Sequence, residues 1–88
     1  MGIFLVTATG DQNKVEASVK STFPDEHYAV PNNTAWFVVF RGTTVELSEK
    51  LGLTSGKSGS AVVIPVNNYY GRASKDMWEW LASRMEGN

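Results

Sequence analysis

Ala35-Trp36-Phe37-Val38-Val39-Phe40 has no polar residue on either parity. Successive side chains of a strand point to opposite faces of its sheet, so a strand of this composition needs cover on both sides. It reads as an interior strand. Just before it, His27–Val30 reads as a short strand, and Pro31-Asn32-Asn33 as a turn that makes the pair a hairpin with Thr34–Phe40. Just after it, Thr43 and Glu46 have the spacing of a capping box, and Glu46 and Lys50 stand one helical turn apart as a favourable pair. Leu47 and Leu51 then face inward, Gly52 suits the left-handed position that ends a helix, and Leu53 fits the apolar contact after it.

Towards the start of the chain, Ile3–Ala8 is a β-branched and apolar run, the first strand, broken by Gly10 and Asp11. A helix follows to about Phe23. Asn13 and Glu16 are spaced as its capping box, Val15 and Val19 share a face, and Pro24-Asp25 stops it. Beyond the second helix, Thr54–Ser60 reads as a loop and Ala61–Val66 as the last strand. Pro65 cannot donate to a ladder, which puts that strand at a sheet edge. Ser74 then caps a final helix through Met85, with Met77, Trp78, Leu81 and Met85 in one stripe.

The element order is β-α-β-β-α-β plus a C-terminal helix. A ferredoxin-like sheet puts the first and third strands in the middle and the second and fourth at the edges. The sequence agrees: Ile3–Ala8 and Ala35–Phe40 are the most apolar runs, His27–Val30 is short, and Pro65 marks the fourth strand. The expectation is an α+β, ferredoxin-like fold with a four-stranded antiparallel sheet in the order 4-1-3-2, forming one domain over residues 1–88.

Composition narrows the function classes. Eighty-eight residues support one core, and eight basic against nine acidic residues leave a net charge of −1. That balance lacks the broad basic surface of a dedicated nucleic-acid or anionic-membrane binder. With no cysteine, disulfides, thiolate catalysis and cysteine-ligated zinc are excluded. The apolar opening ends at Thr7 and Asp11, too soon for a signal peptide or membrane span, so a cytoplasmic protein that does not enter membranes is expected.

Two helices cover one face of such a sheet. The other needs the C-terminal helix, a second copy of the chain, or stacked bases. Ile3-Phe4-Leu5-Val6-Thr7-Ala8 and Phe37-Val38-Val39-Phe40 resemble the first- and third-strand motifs of RNA-recognition domains. The resemblance implies base stacking on Phe4 and Phe37. Asn33, Thr34 and Ala35 depart from it, standing where a basic residue, a glycine and a second stacking aromatic belong. Thr34–Val39, Thr43–Leu51, Ala61–Val66, Tyr69-Tyr70-Gly71 and Trp80-Leu81 look like the SinR-like family of small bacterial and phage proteins. That family is similar to the small ferredoxin-like subunit of the CRISPR spacer-integration complex. The resemblance implies a ferredoxin-like homodimer. In the CRISPR subunit, an aspartate ending the first strand was proposed to bind a metal for nuclease work; here that place falls near Thr9, with Asp11 the nearest carboxylate.

Other chemistry is sparse. Gly52-Leu53-Thr54-Ser55-Gly56-Lys57-Ser58 imitates a phosphate-binding loop but is one residue short and leads from a helix into a strand, the reverse of what that motif needs. His27 stands beside Asp25 and Glu26 without a second nitrogen ligand or a spaced carboxylate set. The segment Asn67–Lys75 gathers Tyr69, Tyr70, Arg72 and Lys75, types that anchor interfaces or, for the cations, meet phosphate. The leading expectation is a non-enzymatic domain without a cofactor. It acts by association as a homodimer that binds a macromolecular partner, with Trp36, Tyr69, Tyr70, Arg72 and Trp80 at the interface. The alternatives are an RNA or single-stranded nucleic-acid module using Phe4, Phe37, Arg72 and Lys75, and a metal-dependent nuclease using Asp11.

Overall fold

The computed structural model describes residues 2–30, 34–67 and 75–85. In chain order the elements are β1 (Gly2–Gly10), α1 (Gln12–Thr22), β2 (His27–Ala29), β3 (Ala35–Phe40), α2 (Thr44–Leu51), β4 (Ser60–Val66) and α3 (Lys75–Met85). The four strands form one antiparallel sheet in the order β2-β3-β1-β4. Counted from the β4 edge this is 4-1-3-2, with the two most apolar strands inside and the proline-bearing strand outside. The architecture is α+β, with α1 and α2 on one face of the sheet and α3 on the other.

The two parities of β3 resolve into two cores. Trp36 and Val38 join Phe4, Val6, Val15, Val19, Leu47, Leu51 and Leu53 beneath α1 and α2, and Phe40 packs against that cluster. Val39 joins Ile3 and Leu81 beneath α3, with Phe37, Val66, Met77, Trp78 and Trp80 packed around them. Each fully buried aliphatic side chain contributes about 1.5–3 kcal/mol, so both cores count. Trp36 is completely buried, and its indole N–H has no hydrogen-bond partner among the described residues. The expectation that Trp36 lies at an interface is therefore corrected: the two-sided strand buries it inside the domain.

Local chemistry explains the helix ends. Thr43 Oγ1 accepts from the Glu46 amide at 3.1 Å while the Thr43 amide donates to Glu46 Oε1 at 2.8 Å, the reciprocal capping box. Gly52 closes α2 at φ 78°, and the Leu53 amide returns to the Ser48 carbonyl. The Ser18 hydroxyl donates to the Leu51 carbonyl at 2.6 Å, tying α1 to the end of α2. The capping box expected at Asn13 and Glu16 does not form. α1 begins earlier, with Asp11 at its N-cap in a left-handed conformation, and Glu16 pairs instead with Lys20 at 3.1 Å. A β-bulge between Ala8 and Gly10 re-aims the chain just before that turn. The loop back into β4 passes so close that a Cβ on Gly59, at φ 94°, would lie 3.0 Å from Asp11 Cβ and from its carbonyl oxygen.

Two variants test this packing by urea unfolding. Trp36→Ala is expected to cost about 3–5 kcal/mol, whereas Trp36→Phe should cost under about 1, because it also removes an unsatisfied buried donor. Gly59→Ala combines a disfavoured φ with a clash against backbone and should cost at least about 2 kcal/mol. A harmless Gly59→Ala would contradict the close approach to Asp11.

Candidate functional site

α3 settles what becomes of the second sheet face. Paired residues on neighbouring strands share a face, so Ile3, Leu5 and Thr7 of β1 lie with Ala35, Phe37 and Val39 of β3, Tyr28 of β2, and Val62, Ile64 and Val66 of β4. Leu81 sits over Ile3 and Val39. The Trp80 ring lies 5.7 Å from Tyr28 and 6.5 Å from Phe37, centroid to centroid. Arg84 stacks over Trp80 at 5.0 Å and donates from Nε to Glu26 Oε2 at 3.2 Å, fastening the end of α3 beside β2. An exposed ion pair of this kind adds under about 1 kcal/mol; the apolar stripe holds the helix down.

This placement bears on the stacking residues. Phe4 is buried on the α1/α2 face, edge-to-face with Phe40 at 6.1 Å, so the expectation that it faces bases is corrected. Phe37 is on the other face but lies half-buried against Trp80. Lys75 is exposed at the first turn of α3, beside exposed Asp76 and Glu79. Tyr69, Tyr70 and Arg72 lie outside the described residues. Asp11 is exposed, and no group of three or more potential metal ligands occurs among the described residues. His27 Nδ1 meets the Phe23 carbonyl, a local tie at the end of α1.

One helix about 10–12 Å across spans little more than two strand spacings of about 4.8 Å, so α3, whose Leu81 lies over Ile3 of β1 and Val39 of β3 and whose cluster takes in Val66 of β4, leaves part of the sheet uncovered. The uncovered part includes Val62 and Ile64 of β4, while Val66 at the end of that strand packs against the α3 cluster. Val62 and Ile64 are 49% and 42% exposed on the α3 side of β4. On the α2 side, Val45 is 62% exposed beside an open hollow of about 350 Å³ lined by Thr44, Val45, Ser48, Thr54, Ala61 and Val63. These three are the large exposed hydrophobic residues among those described, and all flank the same edge strand.

Among the described residues no strand pairs with the outer side of that edge. The Ala8 amide donates to the Thr34 carbonyl at 2.9 Å, so even-numbered β1 residues bond towards β3 and odd-numbered ones towards β4. On β4 the partners of Ile3, Leu5 and Thr7 are Val66, Ile64 and Val62. Ala61, Val63 and Pro65 therefore turn their backbone groups outward. Pro65 lacks an amide on the very side where no strand receives one, which is how it is accommodated. Two amides, Ala61 and Val63, and three carbonyls remain along the outer side.

The two sheet edges differ sharply. β2 has three residues, follows Asp25 and Glu26, and carries Trp80 against Tyr28. β4 has seven residues and no charge from Ser60 to Val66. Charge and brevity are the usual protections of a free edge, and within Ser60–Val66 β4 has neither, only its one proline. Sequence reading identified that edge through Pro65 but passed over Val45, Val62 and Ile64. The signal available was the absence of any charged residue in the edge strand. A further hollow of about 450 Å³ is lined by Phe23, Glu26, Val39, Phe40 and Arg41 at the far end of the sheet.

The anchoring of α3 is tested by truncation. Trp80→Ala should cost about 2–3 kcal/mol in urea unfolding, while Glu26→Gln should cost under about 1. Equal costs would mean that the ion pair, not the aromatic contact, holds the helix. No helix among the described residues is long and apolar enough to cross a membrane. In comparisons with known proteins, no family model, curated protein or solved structure matches the chain.

Proposed function

We propose that this protein is a ferredoxin-like, non-enzymatic domain that acts by association, as a homodimer joined along the outer edge of β4. The observation that carries the reading is the convergence of Val45, Val62 and Ile64 on an uncharged strand whose outer side has no partner strand among the described residues. A strand added there would satisfy outward backbone groups and cover apolar side chains on both faces at once. The resemblance to the SinR-like family implies a ferredoxin-like homodimer and agrees with this reading. Nucleic-acid stacking has less support, because Phe4 is buried and Phe37 lies under Trp80.

The test is molar mass by light scattering after gel filtration. Wild-type protein at about 100 µM, where even a micromolar complex is mostly formed, should have twice the chain mass. Val62→Lys and Ile64→Lys put charges on exposed positions, so each should return the monomer, with an unfolding midpoint close to that of wild type when both are diluted until the wild type is dissociated too. A wild-type monomer at that concentration overturns the homodimer. A dimer indifferent to both lysines moves the interface away from β4.

A further inference from the structure

We infer that two copies pair β4 with β4 antiparallel about a two-fold axis at Val63, making one continuous eight-stranded sheet. This rests on the edge association proposed above and adds which residue meets which. In an antiparallel pair, only residues that turn their backbone outward can exchange hydrogen bonds across the new seam. On β4 those are Ala61, Val63 and Pro65, so the axis falls either on one of them or on a residue between them.

Val63 is the midpoint of Ser60–Val66, and an axis there pairs the whole strand with its copy. Val63 then faces Val63 of the second copy in a fully bonded pair, and each Ala61 amide reaches the opposing Pro65 carbonyl. The missing Pro65 amide leaves only the Ala61 carbonyls short of a strand partner, at the two ends of the ladder where water reaches them. On the α3 side, Val62 of each copy faces Ile64 of the other, so all four half-exposed aliphatic side chains cover one another. On the α2 side, Ala61 faces Pro65, and the hollow beneath Val45 lies along the seam.

Neighbouring arrangements do less. An axis on Val62 faces Val62 with itself but leaves Ile64 opposite Ser60. An axis on Pro65 places two residues without amides opposite each other and loses the central pair of bonds. The strand carries no charge that would repel its own copy, and symmetric pairing consumes the edge so that assembly stops at two. A second copy therefore fits the edge on both faces and along its full length.

The chain contains no cysteine, so introduced thiols report on single positions. Val62→Cys and Ile64→Cys are made separately, mixed in equal amounts at about 100 µM, oxidised and run on a non-reducing gel beside each variant alone. Across the inferred seam, residues 62 and 64 of opposite copies face each other about 4.5 Å apart at Cα, within disulfide reach. Residue 62 and its own copy, offset by two residues, stand about 8 Å apart, beyond reach, and the same holds for residue 64. The mixture should cross-link about tenfold more than either variant alone. Equal or greater cross-linking by Val62→Cys alone overturns the Val63 axis in favour of one on Val62. No cross-linking in any sample overturns the strand pairing. In that case a wild-type dimer mass would leave homodimerisation standing through another surface, whereas a wild-type monomer would remove both readings and leave the edge to an extended segment of a different protein.

Discussion

The fold depends on one constraint, that β3 is apolar on both faces and cannot be left half covered. Its even residues, led by Trp36, complete the core under α1 and α2; its odd residues need a second layer, which α3 supplies. Everything else follows from where those two layers are fastened. α1 and α2 are tied to each other by Ser18 and Leu51, and α3 is pressed onto the sheet by Leu81 and Trp80. The unsatisfied Trp36 indole is tolerated because the ring brings far more apolar surface inside than one lost hydrogen bond costs.

A single helix cannot roof four strands, and the side it leaves open determines the surface of the molecule. Tyr28 and Glu26 on the β2 side receive Trp80 and Arg84, while Val66 of β4 packs against the same helix. The opposite edge is left with hydrocarbon on both faces and backbone groups between them. The two edges differ: β2 is short, follows two carboxylates and carries Trp80 against Tyr28, while β4 is longer and without charge from Ser60 to Val66. Pro65 removes one outward amide from that edge, and those of Ala61 and Val63 remain.

Much of the fold was legible in the residues, because its signals are local. The Thr43 and Glu46 box, Gly52 at the end of α2, the strand order and the edge position of Pro65 each follow from chemistry within a few residues. The false capping box at Asn13 shows the limit of the same reasoning. The β-bulge and the left-handed Asp11 start α1 before Asn13, and Glu16 finds Lys20 instead. The site was less legible, because it depends on which parity of β3 faces which helix, and both parities are apolar. That ambiguity put Trp36 and Phe4 on a surface, when Phe4 pairs with Val38 and shares its face with Trp36 under α1 and α2. The exposure of Val62 and Ile64 depends in turn on the lateral position of α3, which no spacing within β4 encodes.

If the outer side of β4 receives a second strand, as proposed, the backbone amides of β4 report on it directly. Hydrogen exchange of the Ala61 and Val63 amides should slow markedly as protein concentration rises from about 1 to about 300 µM, while the amides of His27 and Ala29, outward on the opposite edge, keep their rates. Ala61 and Val63 amides that exchange equally fast across that range would rule out strand addition at β4.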